Sequence, residues 1–326
     1  MTFVKVAFLS MLFVMNIYSA DNLPVTVRSC FGAGFFAELR RVLFFIGGVA
    51  FNDTHTREVR VEWNDAFFPY KNGKNENGWD LFFGPIGQVE NKMDVHSFEV
   101  IHDHTCLNKW LSYDEFYPYR MGMNALIKKY IKINQNILEE LDGYCHVFML
   151  NAICIGVHVR FATAHGAEKP GTVRLHDYFS EIDVLIKKLE RMQRQYVIYL
   201  ATDSNYVVEA FRKRYSRFLL YRDTIRSAYA EEVHLISERS DYWLAHVQEF
   251  HDKKPGYKGG KDVLLDCLIL SRCDYLVHTT SNVSDFATFF NPTIQSIFIP
   301  KQIDPNKKRD CAACRVPDKW YDHEIF

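Results

Sequence analysis

The stretch CIGVHVRFATAHGAE, Cys154 to Glu168, decides the fold. From Ile153 to Val159 the chain is a short apolar run that carries His158 near its end and delivers Arg160. Such a run reads as a strand buried on both faces, as in a parallel sheet covered by helices. Residues two apart on a strand point to one face. His158 and Arg160 are therefore expected to leave the sheet side by side, before a loop that carries His165, Gly166 and Glu168.

Working outward, four further runs read as strands: Tyr196–Thr202, Phe218–Tyr221, Tyr275–Thr279 and Ser296–Ile299. Helical patterns fall between them at Leu175–Met192, Asn205–Tyr215, Gly260–Cys273 and Asn282–Phe290. Strands alternating with helices predict an α/β domain around a parallel sheet. The first half opens with Val25-Thr26-Val27 and a glycine-rich turn, GAGFF, Gly32 to Phe36. A helix is expected over Phe35–Val49, where Leu39, Val42, Leu43 and Ile46 recur at helical spacing. Arg57–Trp63 alternates like a strand, 66–118 is aromatic and irregular, and one long helix is expected over Gly122–Leu141. The expected organisation is a leader at 1–20, an N-terminal acceptor-side α/β domain at 21–150, a C-terminal nucleotide-sugar-binding domain at 151–310 and a tail at 311–326.

In an open α/β sheet, ligands sit beyond the carboxyl ends of the strands. Those ends here are polar: His158 and Arg160; Thr202, Asp203 and Ser204; Arg222 and Asp223; then His278 through Asn282 into a helix. A guanidinium such as Arg160 or Arg222 can grip two phosphate oxygens at once. Thr280, Ser281 and Asn282 would lie at a helix N-terminus, where free N–H groups and the dipole favour an anion. Asp203 can accept from a ribose or a base. Gly32 and Gly34 let backbone N–H groups approach a pyrophosphate. Each has a plainer reading: Ser281 or Ser284 as an N-cap, Asp203 as turn chemistry, His158 as a structural histidine, and Asp266 as a solvent-facing partner of Asp262 one turn away. Their combination points to a nucleotide diphosphate held between two α/β halves.

Composition excludes other classes. A net charge of −1 without a basic run argues against a general nucleic-acid binder. Lys5, the apolar run Val6–Met15 and small residues up to Ala20 read as a secretory signal, although Tyr18 is large for its place. The protein is then secreted or lies in the secretory-pathway lumen. The alternatives are an uncleaved membrane anchor, for which the run is short, and a buried first element. Asn52-Asp53-Thr54 and Asn282-Val283-Ser284 fit the N-glycosylation pattern, the second within the expected site. Eight cysteines permit disulfides behind a signal peptide, with Cys154 and Cys267 read as plain buried thiols. The lone Cys311-Ala-Ala-Cys314 pair reads first as a disulfide or free thiols, because no second pair completes a zinc site.

Three motifs, IGVHVR, IYLATDSNYVVEAFRKRY and GGKDVLLDCLILSRCDYLVHTTSNVSDFA, follow one another as in the α1,6-fucosyltransferase superfamily, which the chain resembles. GAGFFAELRRV is similar to that family's N-terminal glycine loop, and the likeness spans roughly 28–50 and 120–300. The resemblance implies a GT-B fold, two Rossmann-like domains facing a central cleft, with GDP-fucose as donor, a glycan acceptor, no metal, no further cofactor and inversion at the fucose carbon. It places Arg160 on the diphosphate, His158 and Asp266 on guanine, Asp203 at the first aspartate of an ATD motif, Ser281 over the phosphates and Glu168 as general base. The chain departs from the family after Arg160, where Phe161-Ala162-Thr163-Ala164 replaces the usual Thr-Asp-Lys, and at Ser204, which replaces a second acid. Those departures imply another acceptor or weak activity. The rival expectation is a secreted nucleotide- or glycan-binding protein on a degenerate scaffold without turnover. Segment 66–118 is the expected reader of the acceptor.

Overall fold

A computed structural model of the chain describes residues 24–29, 34–52, 56–64, 68, 70–73, 76–90, 113–160, 174–224, 226, 256–279 and 281–299. The first half holds β1 (Val25–Arg28), α1 (Phe35–Asn52), β2 (Arg57–Glu62) and β3 (Gly87–Val89). Its sheet runs β1-β2-β3, with β1 parallel to β2 and β3 antiparallel. Leu39, Val42, Leu43 and Ile46 of α1 are fully buried, as their spacing demands.

Trp63, Trp79, Phe82 and Phe83 are also fully buried. The rings of Trp63 and Trp79 lie 5.0 Å apart, and Phe35 meets Phe82 edge-on at 4.9 Å. Of the aromatic segment expected to read an acceptor, Phe68, Trp79, Phe82 and Phe83 are spent on the core, whereas Tyr117 is exposed; residues 91–112 of it lie outside the described residues.

The expected long helix is two: α2 (Tyr113–Tyr130) and α3 (Gln135–Phe148). The break has a tertiary cause. Ile133 bridges Phe83, Gly84 N–H donates to Lys132 O at 2.7 Å, and Asn134 N–H donates to Phe82 O at 2.9 Å. Backbone groups that would extend the helix are therefore engaged by the first half's aromatic turn.

The second half begins at β4 (Ile153–Val159) and continues α4 (Leu175–Arg191), β5 (Tyr196–Thr202), α5 (Asn205–Tyr215), β6 (Leu219–Leu220), α6 (Gly256–Ser271), β7 (Tyr275–His278), α7 (Asn282–Phe290) and β8 (Gln295–Phe298). The third expected strand is shortened because Ser216–Phe218 forms a 3-10 turn. All five strands are parallel in the order β6-β5-β4-β7-β8. Numbered within this half, that is 3-2-1-4-5, a Rossmann-like order whose direction reverses between β4 and β7. The fold is α/β, as expected, with a parallel βαβ unit in each half.

Alternation along β4 divides the layers. Ile155, Val157 and Val159 pack with α4 and α5, among Tyr178, Ile182, Leu185, Val207 and Phe211. Cys154 faces the opposite layer, with α6 and α7, and this layer is continuous with the core of the first half. Phe36 meets Phe286 at 4.8 Å and Tyr119 meets Phe289 at 5.3 Å. Asn124 Nδ2 donates to Phe289 O at 2.6 Å. So α6 and α7 are covered by the second sheet on one side and by the first half on the other.

The α6 junction is close-packed. A Cβ on Gly260 would lie 2.5 Å from Phe82 Cζ and 2.9 Å from Tyr70 Cβ. Phe82 is fully buried and packs against Phe35 and Tyr257. Gly260→Ala is expected to cost about 1–3 kcal/mol by overpacking, read as a lower urea midpoint with an unchanged slope.

Among the described residues no helix is long and apolar enough to cross a membrane, and no cluster of three His, Cys, Asp or Glu is placed to hold a metal ion.

Candidate functional site

The reversal between β4 and β7 brings two histidines together. His158 and His278 are direct cross-strand partners at the carboxyl ends of their strands. Parity with Cys154 and with Leu276 puts both on the α6/α7 side. They are 6% and 4% exposed, so water does not stabilise a charge on either. Burial, with the nearby Arg160 charge and His278 adding to it, pushes His158 down to about 3. Burial outweighs hydrogen bonding to the Thr279 backbone and the Asp285 charge, and pushes His278 down to about 4. Both rings are neutral at neutral pH.

Their bonding differs. His278 Nδ1 lies 3.0 Å from Thr279 O and Nε2 lies 2.7 Å from Ser296 Oγ. Both nitrogens are engaged, so His278 is a structural histidine. Nδ1 of His158 is buried and has no hydrogen-bond partner among the described residues. A buried polar atom left so is costly, and a ligand group that bonded it would relieve the cost.

Arg160 follows directly and is exposed. Its charge reaches His158 on one side and Tyr70 of the first half on the other. Tyr70 is partly buried and hydrogen-bonded to the backbone of Phe35, the first residue of α1. Gly34 opens that helix, its carbonyl accepting from Ala37 and Glu38 N–H at 2.9 and 3.1 Å. Gly34, at the end of the glycine-rich turn, is therefore linked to the end of β4 through Phe35 and Tyr70; Gly32 lies outside the described residues.

The start of α7 completes this edge. Ser281 is its N-cap, with Oγ accepting from Val283 N–H at 3.3 Å. Ser284 Oγ donates to Thr279 O and Ser281 O at 2.9 and 3.0 Å. The serines thus serve the backbone, and Asn282 begins the helix behind its cap. Asp285 in the first turn would oppose an anion, but Arg40 of α1 pairs with it at 2.7 Å. Thr280 and Glu168 lie outside the described residues.

Asp203 follows β5, close enough to act on Tyr178 in the first turn of α4, and Tyr178 hydrogen-bonds Thr279. Tyr178 links the ends of β5 and β7 and was not singled out by sequence, where it is one apolar helix position among several. Tyr70 was missed because it lies in the irregular segment, where no periodicity marks its contact with Phe35.

Arg222 and Asp266 sit elsewhere in this layer and engage each other. Arg222 lies 3.1 Å from Asp262, 3.1 Å from Glu140 of α3 and 3.5 Å from Asp266. Asp266 also accepts from Tyr199 OH at 2.7 Å. Burial raises the Asp266 carboxyl above its ordinary value, against Tyr199 and Arg222. Asp266 is therefore not on the solvent face that its distance from Asp262 suggested. Both acids turn inward because Arg222 lies between them.

A parallel sheet of Rossmann-like order, with His158 and His278 paired at its switch point, defines the class of this molecule: an α/β protein. Neither a family model nor a curated protein matches the chain. Solved structures do. NodZ alpha-1,6-fucosyltransferase co-crystallised with GDP is 15% identical, with 82% of this chain and 92% of that chain covered and a TM-score of 0.48. A mutant of Arabidopsis thaliana FUT1 in complex with GDP is 10% identical over 88% of this chain and 73% of that chain, with a TM-score of 0.46. POFUT1 in complex with GDP-fucose is 12% identical over 56% of this chain and 50% of that chain, with a TM-score of 0.35.

Proposed function

We propose that the chain is a GT-B glycosyltransferase that transfers fucose from GDP-fucose to a glycan hydroxyl. The observation that carries the reading is the buried Nδ1 of His158 at the switch point, near Arg160, without a hydrogen-bond partner among the described residues. The motif order shared with α1,6-fucosyltransferases supports the donor, and the site supplies its chemistry. A neutral imidazole offers the base one hydrogen bond without bringing a competing charge. Arg160 meets the diphosphate, and the first-turn amides of α7 share its charge. As the acceptor oxygen attacks the fucose carbon, negative charge grows on the leaving GDP, and these donors stabilise it. The acceptor proton goes to a carboxylate, for which Glu168 is the residue proposed. Asp203 takes a ribose hydroxyl or a donor of the base. The signal-like segment at 1–20, not the donor, would direct it to the secretory lumen or outside the cell.

Phe161–Ala164, in place of Thr-Asp-Lys, favours a second reading, a binding protein without turnover. Release of GDP from GDP-fucose across an acceptor panel separates the two. Turnover that falls about 100-fold or more in Glu168→Gln, with GDP binding kept, supports the transferase. Binding of GDP without turnover on any acceptor supports the second reading.

A further inference from the structure

Opposite the candidate site, at the amino ends of β4 and β7, two thiols meet in the core. Cys154 Sγ and Cys273 Sγ are 3.1 Å apart, with 2% and 3% exposure. Cys154 is the second residue of β4, and Cys273 lies between α6 and β7. The backbone on both sides is pinned: Cys154 N–H donates to Asp274 Oδ2 at 2.8 Å, and Asp274 N–H donates to Cys154 O at 2.9 Å. Gly156 keeps room for the pair, because a Cβ there would lie 2.9 Å from Cys273 Sγ.

We propose that Cys154 and Cys273 are a covalent modification site, joined as a disulfide by exchange with a low-molecular-weight disulfide. A bonded pair of sulfurs is about 2.05 Å apart, so closure needs roughly 1 Å of motion, within reach of side-chain torsions. One protein thiolate attacks the small disulfide and releases one small thiol. The second attacks the resulting mixed disulfide and releases the other. The protein pair is oxidised by two electrons, the small disulfide is reduced to two thiols, and both protein protons end on those thiols. A surface recess of about 450 Å³, lined in part by Arg272, Asp274, Asn291, Thr293 and Gln295, borders Cys273. Burial pushes the Cys273 thiol well up, so exchange on the folded chain is slow. The bond would fasten β4 to β7, the two strands that carry His158 and His278, across 119 residues of chain. This inference is independent of the proposed transferase.

The test uses the full chain. One sample is incubated folded, and a second is refolded, in glutathione buffers of graded oxidised fraction. Acid quenching, alkylation under denaturing conditions and peptide mass spectrometry then identify the linkage. A peptide joining Cys154 to Cys273, both thiols vanishing together from the alkylated pool, is the expected result. The linked chain should melt roughly 5–10 °C above the reduced chain, a difference that Cys154→Ala and Cys273→Ala abolish. Two alkylatable thiols after both treatments would overturn the proposal. So would linkage of either to Cys145 or to glutathione alone. The peptide result on the unaltered chain decides even if an alanine variant does not fold.

Discussion

Asp285→Ala lowers the folding stability by about 3–5 kcal/mol, because it strands a buried guanidinium. Arg40 and Asp285 face each other at 2.7 Å with side chains 16% and 12% exposed. Burial opposes the Arg40 charge, but Asp285, helped by Tyr119, leaves the guanidinium more basic than usual. The cation also lies 5.9 Å and 5.7 Å from the ring centres of Phe286 and Phe289. Removing Asp285 leaves that charge among aromatics with its main partner gone. Removing Arg40 instead leaves a carboxylate in the first turn of α7, where it would also repel a phosphate. The double replacement Arg40→Met with Asp285→Leu should recover most of the loss, since neither charge remains to be desolvated. Urea denaturation of Arg40→Met, Asp285→Leu and the double variant measures the cycle. Single variants within 1 kcal/mol of the parent would contradict a buried pair that holds the halves together.

Acidification is the second large effect. His158 and His278 are held neutral in the folded chain, pushed down to about 3 and about 4. Unfolded, each titrates near 6.5. Below that value the unfolded chain binds protons that the folded chain refuses, so stability falls as pH falls. The loss begins near pH 6.5 and ends only where the folded rings titrate. Two such groups cost about 2.7 kcal/mol per pH unit within that window, and about 3–4 kcal/mol between pH 7 and pH 5. Asp266 works the other way: its raised carboxyl favours the fold on the acid side and offsets part of the loss. Urea midpoints at pH 7 and pH 5 read the effect. His158→Gln should remove about half of the difference. A variant that keeps the full difference would show that His158 is protonated in the folded chain.

Much of the second half was legible in sequence because both faces of its sheet are covered. Continuous apolar runs mark Ile153–Val159 and Tyr196–Thr202, and the helices Asn205–Tyr215 and Asn282–Phe290 end where their periodicity does. The site was legible only as far as strand ends go: His158, Arg160, Asp203 and Ser281 follow from position on a sheet. What escaped depends on partners distant in sequence. The break between α2 and α3 is imposed by Phe82 and Phe83, some fifty residues upstream. Arg40 finds Asp285 across 245 residues, with no local pattern to announce it. Arg222 and Asp266 look like free ligand contacts in a sequence, and only the fold shows them paired. Composition likewise cannot tell a buried ring, such as Trp79, from an exposed one, such as Tyr117.

The central claim is that a guanosine diphosphate sits beyond β4 and β7 on His158 and Arg160. Calorimetric titration of residues 21–326 with GDP, GDP-fucose, UDP and ADP, without divalent metal, tests it most directly. Selective binding of GDP and GDP-fucose is the predicted result, weakened at least tenfold in Arg160→Ala and in His158→Ala with their circular dichroism unchanged. Equal binding of all four nucleotides, no binding at all, or binding that survives both replacements would contradict it.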